Sequence, residues 1–238
     1  MFNPSEFINF VKNPLYLTLN RKKTHTLRTG LKIYLIILLI IGLVNSLNLT
    51  IIKVFFTLPI DNSLAIPESF KNQLWIYIVM VAIFAPFSEE IIFRLSLIFN
   101  PINISFSISV FGALFIHKIS SHLIAVLSFL IIFLIVYIIT ISNRQFLNSF
   151  WAKNFKYIFY FFSILFGLVH ASNYTFVEAS QFFLIPILIF PQLAIGFVLS
   201  FTRIYYDKGF IMCIIIHCLM NLVSVCIYLL EYSRPALN

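Results

Sequence analysis

Two adjacent glutamates and an arginine interrupt an apolar stretch of the chain, in the segment PFSEEIIFRLSL at residues 86–97. The Ile, Leu, Phe and Val residues around this segment are typical of a membrane-spanning helix, in which a formal charge is costly. Ionisable side chains in such a position usually have a function and a partner inside the protein. Glu89, Glu90 and Arg94 are therefore candidate functional residues.

Two histidines and an asparagine lie in other apolar stretches, far along the chain: His170 in FGLVHASNY, and His217 and Asn221 in IIIHCLMN. At about 1.5 Å per helical residue, Glu89 lies about 15 Å, His170 about 20 Å and His217 about 12 Å from the predicted cytoplasmic ends of their helices. A carboxylate and two imidazoles are thus predicted at similar depth. A carboxylate beside a neutral imidazole can act as the general base that activates a water molecule.

Helical spacing predicts different positions for the two carboxylates. Residues four apart share a helix face, so Glu90 and Arg94 can form an ion pair within one helix. The adjacent Glu89 points about 100° away from Glu90. One carboxylate can therefore face a cavity while the arginine holds the other.

The two later segments show the same spacing of four residues. His217 and Asn221 share a face, from which both can donate hydrogen bonds to the oxyanion of a tetrahedral intermediate. Phe166 and His170 share a face in the same way. Together with the glutamate, these groups suffice for amide hydrolysis without a serine or cysteine nucleophile.

The same residues admit other interpretations. One glutamate and two histidines are a known catalytic zinc set, so Glu89, His170 and His217 are alternative zinc ligands, although the HExxH signature is absent. Purely structural roles are also open, because Glu–Arg pairs and buried His or Asn side chains can join helices within a membrane.

Composition predicts the elements that must position these residues. The 238 residues are 61% hydrophobic and 10% charged, whereas soluble domains are about 45–50% apolar and about 25% charged. The apolar stretches are 31–56, 73–99, 103–117, 122–141, 157–177, 180–204 and 209–231. Pro186 and Pro191 make the sixth stretch either one kinked span or two short segments. We therefore expect an all-α polytopic membrane protein, a bundle of about seven or eight transmembrane helices with a polar intramembrane cavity.

Charge distribution predicts the topology. Residues 1–30 form a basic, cytoplasmic N-terminal segment and residues 31–238 a single transmembrane domain, whose first stretch acts as an uncleaved signal-anchor. The basic residues of 142–156 and 202–208 place both links on the cytoplasmic side. The net charge of +8 reflects the basic residues of the N-terminal segment and of the two links. The sequence contains no basic domain with interleaved aromatic residues and therefore does not indicate nucleic-acid binding.

Three motifs occur in a fixed order: EEIIFR fits EExxxR, FGLVH fits FxxxH, and HCLMN fits HxxxN. The chain thereby resembles the CPBP family of intramembrane endopeptidases, also called the CAAX-protease and bacteriocin-processing, or Abi, family. That family includes the type II CAAX prenyl endopeptidase. The resemblance covers roughly residues 75–230.

The resemblance implies a role for each motif residue. Glu89 activates water together with His170, and His217 and Asn221 form the oxyanion hole. Glu90 and Arg94 orient or support the site, and Phe166 is a further supporting residue. A glutamate mechanism without a metal is favoured, with a divalent metal such as zinc as the alternative.

Two features depart from the family pattern. Leu95 follows the motif arginine, where many members have glycine, and the gap before His170 is long.

His117 is an alternative second-motif histidine, because it lies within that gap. Ala113 and not phenylalanine stands four residues before it, however, and its predicted position is the outer end of a helix. The alanine before His117 and the position of His117 therefore favour His170 as the second-motif histidine.

The predicted function is hydrolysis of a peptide bond, in a prenylated CAAX-type substrate or a small bacteriocin-like peptide. The alternatives are a non-catalytic immunity or scaffold protein of the same family and a small transporter or proton relay, although the internal symmetry common in transporters is absent. The predicted partners are a peptide or protein substrate and the bilayer, without nucleic acid; the sequence does not predict the oligomeric state. Composition rich in Ile, Phe and Asn is typical of AT-rich bacteria, which favours a bacterial inner membrane.

Overall fold

Each predicted apolar stretch contains helix in the computed structural model, which describes residues 3–15, 27–55, 61–62, 70, 73–175 and 179–232. The α-helices are α1 (Pro4–Lys12), α2 (Leu27–Phe55), α3 (Leu74–Val79), α4 (Ala85–Phe93), α5 (Pro101–His117), α6 (His122–Ser142), α7 (Arg144–Lys153), α8 (Phe155–Val169), α9 (Ile185–Leu188), α10 (Phe190–Tyr205) and α11 (Gly209–Tyr232). Two residues of β1 (Asp61–Asn62) pair antiparallel with β2 (Tyr174–Thr175). The protein is an all-α polytopic membrane protein.

Four helical segments among the described residues are long and apolar enough to cross a membrane: Leu74–Leu97, His122–Ser142, Phe155–Asn173 and Gly209–Ile227. A fifth is obtained if Phe182–Leu188 and Phe190–Tyr205, which meet at 42°, form one broken span. Pro191 lies in the first turn of α10, where its missing N–H and fixed φ suit a helix start and end the helix before it. The predicted count of seven or eight spans stays a prediction.

The N-terminal helix packs against the transmembrane bundle. Phe10 of α1 is buried and makes edge-to-face contacts with Phe159 of α8 and Phe201 of α10. The hydroxyl of Tyr205 donates a hydrogen bond to the carboxylate of Glu6 at 2.8 Å. Residues 4–12 of the basic segment therefore share the hydrophobic core, whereas residues 16–26, with most of its positive charge, lie outside the described residues.

Small residues bring α8 and α10 close together. The hydroxyl of Ser163 donates to that of Ser200 at 2.9 Å, and both side chains are fully buried. A Cβ added to Gly196 would lie 2.6 Å from the backbone oxygen of Ser163. Close approach at small residues, with hydrogen bonds across the helices, is the usual packing in membranes, and here it fixes the helix that leads to His170.

We expect Gly196→Ala to lower the free energy of unfolding by about 1–3 kcal/mol, because the backbone must move to admit the methyl group. Gly42→Ala in α2 is the matched control, since a Cβ there meets nothing within 4 Å. Both variants can be unfolded by denaturant in one detergent. Wild-type stability of Gly196→Ala would show that this close packing is not required.

Candidate active site

Three distant parts of the chain meet at the carboxylate of Glu89. Its Oε2 lies 3.7 Å from Nε2 of His170 and 3.7 Å from Nε2 of His217. Glu89 belongs to α4, His170 begins the 3₁₀ turn that follows α8, and His217 belongs to α11. The side chains of Glu89 and His170 are 26% and 17% exposed, so the bundle covers this cluster only in part.

Hydrogen bonds on the far side of each imidazole fix its orientation. Nδ1 of His170 lies 2.6 Å from the backbone oxygen of Phe166, and Nδ1 of His217 lies 2.8 Å from Oε1 of Glu90. A carbonyl and an ionised carboxylate only accept hydrogen bonds, so both Nδ1 atoms carry protons. In the neutral ring each Nε2 then presents a lone pair, and both lone pairs face Glu89.

The centre of the site therefore consists of three hydrogen-bond acceptors. The two 3.7 Å separations are too long for direct hydrogen bonds. Oε2 of Glu89 is buried and has no hydrogen-bond partner among the described residues. Such a cluster favours a group that brings protons or positive charge: a water molecule, an extra proton on one ring, or a cation.

Metal binding by this cluster can be compared with the known geometry of zinc sites. Ligand atoms of a tetrahedral zinc ion with bonds near 2.1 Å lie about 3.4 Å apart, which is shorter than both separations. Within the described ranges, no group of three or more His, Cys, Asp or Glu side chains is arranged to hold a metal ion. Binding of zinc by Glu89, His170 and His217 stays a prediction.

The second glutamate joins Arg94 to His217. Glu90 and Arg94 are fully buried, and Oε2 of Glu90 lies 3.3 Å from Nε of Arg94, one helical turn away. The other oxygen of Glu90 accepts the Nδ1 proton of His217. The guanidinium makes no hydrogen bond to any described residue, so the ion pair is what balances its charge. Glu90 thus orients a ring of the site while Glu89 faces its centre.

Phe166 is the apolar platform of the site. Its buried ring lies 4.0 Å from the guanidinium carbon of Arg94, a cation–π contact. The same ring contacts the rings of His170 and His217, with centroids 4.8 Å and 5.6 Å away. One side chain therefore sets the positions of three others, which gives a physical reason for phenylalanine four residues before the histidine.

A local change of helix type brings Asn221 to the motif helix, the segment Leu74–Leu97 that carries EEIIFR. A π-helix (Met80–Phe84) precedes Pro86, and the N–H of Ala85 accordingly bonds the oxygen of Met80, five residues back. The next bond in this pattern would run from residue 86 to Val81, but proline has no N–H. The amide of Asn221 donates to the oxygen of Val81 instead, at 2.9 Å. A backbone group in a membrane must be satisfied, so this bond ties α11 to the π-helix that precedes α4.

Two residues that the motifs do not contain hold the end of the motif helix. Nε of Arg203 donates to the oxygen of Arg94, and Nε1 of Trp151 donates to the oxygen of Ser96, both at 3.1 Å. The sequence predicts that Arg203 lies in a link near 202–208, but α10 continues to Tyr205, so Arg203 belongs to the helix. Its position at the end of the apolar stretch 180–204 is the signal in the sequence, because charges in spans usually have partners.

The alternative second-motif histidine lies elsewhere. His117 ends α5 and stacks on His122 at the start of α6, with ring centroids 4.4 Å apart. The structure thus places His170, and not His117, beside Glu89. Glu178, another ionisable residue near an apolar stretch, lies outside the described residues.

Comparison with known proteins agrees with the motifs. No curated protein and no solved structure matches the chain. Residues 71–223, more than half of the chain, match the family described as type II CAAX prenyl endopeptidase Rce1-like. The matched range contains all three motifs and every residue of the cluster around Glu89. The chain belongs to the Rce1-like family of type II CAAX prenyl endopeptidases and is an integral membrane protein of this protease family.

Proposed function

We propose that this protein is an intramembrane endopeptidase in which Glu89 activates a water molecule to hydrolyse a peptide bond. The observation that carries the proposal is the convergence of Oε2 of Glu89 with two imidazole Nε2 atoms at 3.7 Å. Because the Nδ1 proton of His170 is already engaged, Nε2 of His170 and Oε2 of Glu89 are the two acceptors for that water. Membership of a protease family supports the same chemistry.

The reaction follows general acid–base chemistry. Water bound between Glu89 and His170 gives a proton to Glu89 as its oxygen attacks the carbonyl carbon of the substrate. His170, held through its Nδ1 proton, orients the water. The protonated Glu89 then returns its proton to the leaving amine. Neither step needs a covalent intermediate.

His217 and Asn221 are the proposed oxyanion donors. One N–H of the Asn221 amide bonds Val81, and the other remains to donate to the tetrahedral intermediate. His217 donates from Nε2 when its ring carries a second proton. The carboxylate of Glu90 accepts the Nδ1 proton of that ring at 2.8 Å and holds its orientation. Glu90 thereby acts through His217 rather than on the substrate.

Substrate class can be tested with two peptides that differ in one group. We propose a prenylated CAAX-type peptide as the substrate and a small unmodified peptide as the alternative. Purified protein in liposomes is incubated with a farnesylated CAAX peptide or with its unfarnesylated form, and the products are identified by mass spectrometry. Cleavage of the farnesylated form alone would support the proposal. Equal cleavage of both forms would show that prenylation is not required.

The same assay tests both the metal alternative and the non-catalytic alternative. We expect the initial rate to be unchanged after treatment with EDTA or 1,10-phenanthroline, because no step of the proposed reaction uses a metal. Loss of the rate, with recovery on adding zinc, would establish the metal alternative. A folded protein that cleaves neither peptide would instead support a role as an immunity or scaffold protein.

A further inference from the structure

We propose that α7 lies in the membrane surface and binds the headgroups of anionic phospholipids. The helix joins α6 to α8, and the segments His122–Ser142 and Phe155–Asn173 on either side are both candidate spans. None of its residues is buried. A short helix between the ends of two spans, most of whose surface is left exposed by the bundle, suits the boundary between lipid and water.

The rotation of α7 is fixed by contacts with the motif helix. At 3.6 residues per turn, Phe146, Leu147, Phe150 and Trp151 form one apolar sector. The Leu147–Trp151 half faces the protein, because Leu147 is half-buried and Nε1 of Trp151 donates to the oxygen of Ser96 at 3.1 Å. The half formed by Phe146 and Phe150 therefore faces away from the protein, and these side chains are 68% and 46% exposed.

The charge of this segment suits an anionic lipid surface. Arg144 and Lys153 fall at the two edges of the apolar sector, and Lys156 follows in the first turn of α8. Residues 142–156 contain no Asp or Glu. Aromatic side chains with basic residues at their edges are typical of helices that lie in a bilayer interface and attract anionic headgroups.

The apolar surface of α7 is continuous with a lipid-facing surface, which favours lipid over a protein partner. Ile138 and Ile141, in the last turn of α6, are 60% and 42% exposed. Phe146 and Phe150 extend that surface beyond the span. Because basic residues collect on the cytoplasmic side of membrane proteins, the lipid would be that of the cytoplasmic leaflet.

The experiment uses tryptophan fluorescence, because Trp75 and Trp151 are the only tryptophans in the sequence. A Trp75→Phe variant is reconstituted in vesicles of phosphatidylcholine and phosphatidylglycerol in equal amounts, with bromine on the acyl chains of one lipid or the other. We expect stronger quenching of Trp151 by brominated phosphatidylglycerol. Adding Arg144→Gln and Lys153→Gln should abolish that preference without changing the helical circular dichroism.

The matched control uses the other tryptophan. Trp75 begins the Leu74–Leu97 segment and Ser96, the partner of Trp151, ends it, so the two tryptophans lie at opposite ends of a span. In a Trp151→Phe variant, the two glutamine substitutions should leave the quenching of Trp75 unchanged. Equal quenching of Trp151 by the two lipids would overturn the proposal and favour a protein partner. A preference that survives both substitutions would contradict the assignment of the headgroup contacts to Arg144 and Lys153.

Discussion

Replacing Glu89 by glutamine is expected to lower the rate of peptide cleavage by a factor of about 100 to 10,000, the usual contribution of a general acid–base residue. Glutamine keeps the size of the side chain and can still hydrogen-bond water, but it cannot take a proton. The rate should be measured with purified protein in liposomes, at substrate concentrations that give kcat and KM separately. We expect the loss in kcat.

The control for this variant is Glu6→Gln. Glu6 also carries a carboxylate that accepts a hydrogen bond, from Tyr205, but it lies in α1, outside the site. We expect Glu6→Gln to cleave at the wild-type rate. A Glu89→Gln variant that is folded and equally active would remove Glu89 from the reaction.

Replacing Arg94 by alanine is expected to lower the free energy of unfolding by about 3–5 kcal/mol, the usual cost of leaving one partner of a buried ion pair uncompensated. Arg94 and Glu90 are both fully buried. Removing the guanidinium also removes its contact with Phe166, so the platform under both histidines loses a neighbour. The stability can be measured by denaturant titration in detergent.

A double variant separates the effect of charge from that of packing. In Arg94→Met with Glu90→Gln, neither side chain is charged and the volume is nearly kept, and such replacements of a buried pair are often neutral. We therefore expect the double variant to recover most of the stability that Arg94→Ala loses. If Arg94→Ala is as stable as wild type, the ion pair does not hold the motif helix.

The sequence predicted the parts of the fold that depend on local pattern. Long apolar stretches become helices in a membrane because each backbone group must find a partner within its own segment. A spacing of four residues predicts which side chains share a face, and the ion pair of Glu90 and Arg94 has that spacing. Charges in an apolar setting are rare, so Glu89 and the two histidines stand out in the sequence alone.

Interactions between distant residues could not be predicted in the same way. Pro86 indicates a break, but the partner of the oxygen that it leaves free is Asn221, on another helix. The proton on Nδ1 of His217 follows from its contact with Glu90, which depends on how α4 and α11 pack. The α7 helix lies in a segment that reads as a polar link, because its apolar sector is formed by Phe146, Leu147, Phe150 and Trp151 alone.

The two adjacent glutamates have different surroundings, and this difference is the basis of the proposed mechanism. Glu90 is buried between Arg94 and His217, both within ion-pair distance. Glu89 is partly exposed, and its Oε2 faces the Nε2 atoms of two imidazoles, each 3.7 Å away. A carboxylate that must gain and lose a proton cannot be held in a buried ion pair, and of the two glutamates only Glu90 is so held.

The most direct test of the mechanism is a single turnover in water enriched in oxygen-18. The enzyme is in excess over a peptide that it cleaves. If Glu89 activates water, mass spectrometry will find the label in the new carboxylate of the product, and the tryptic or chymotryptic fragment that contains Glu89 will stay unlabelled. Label in the side chain of Glu89 would show that it attacks the substrate directly. That result would contradict the proposed mechanism.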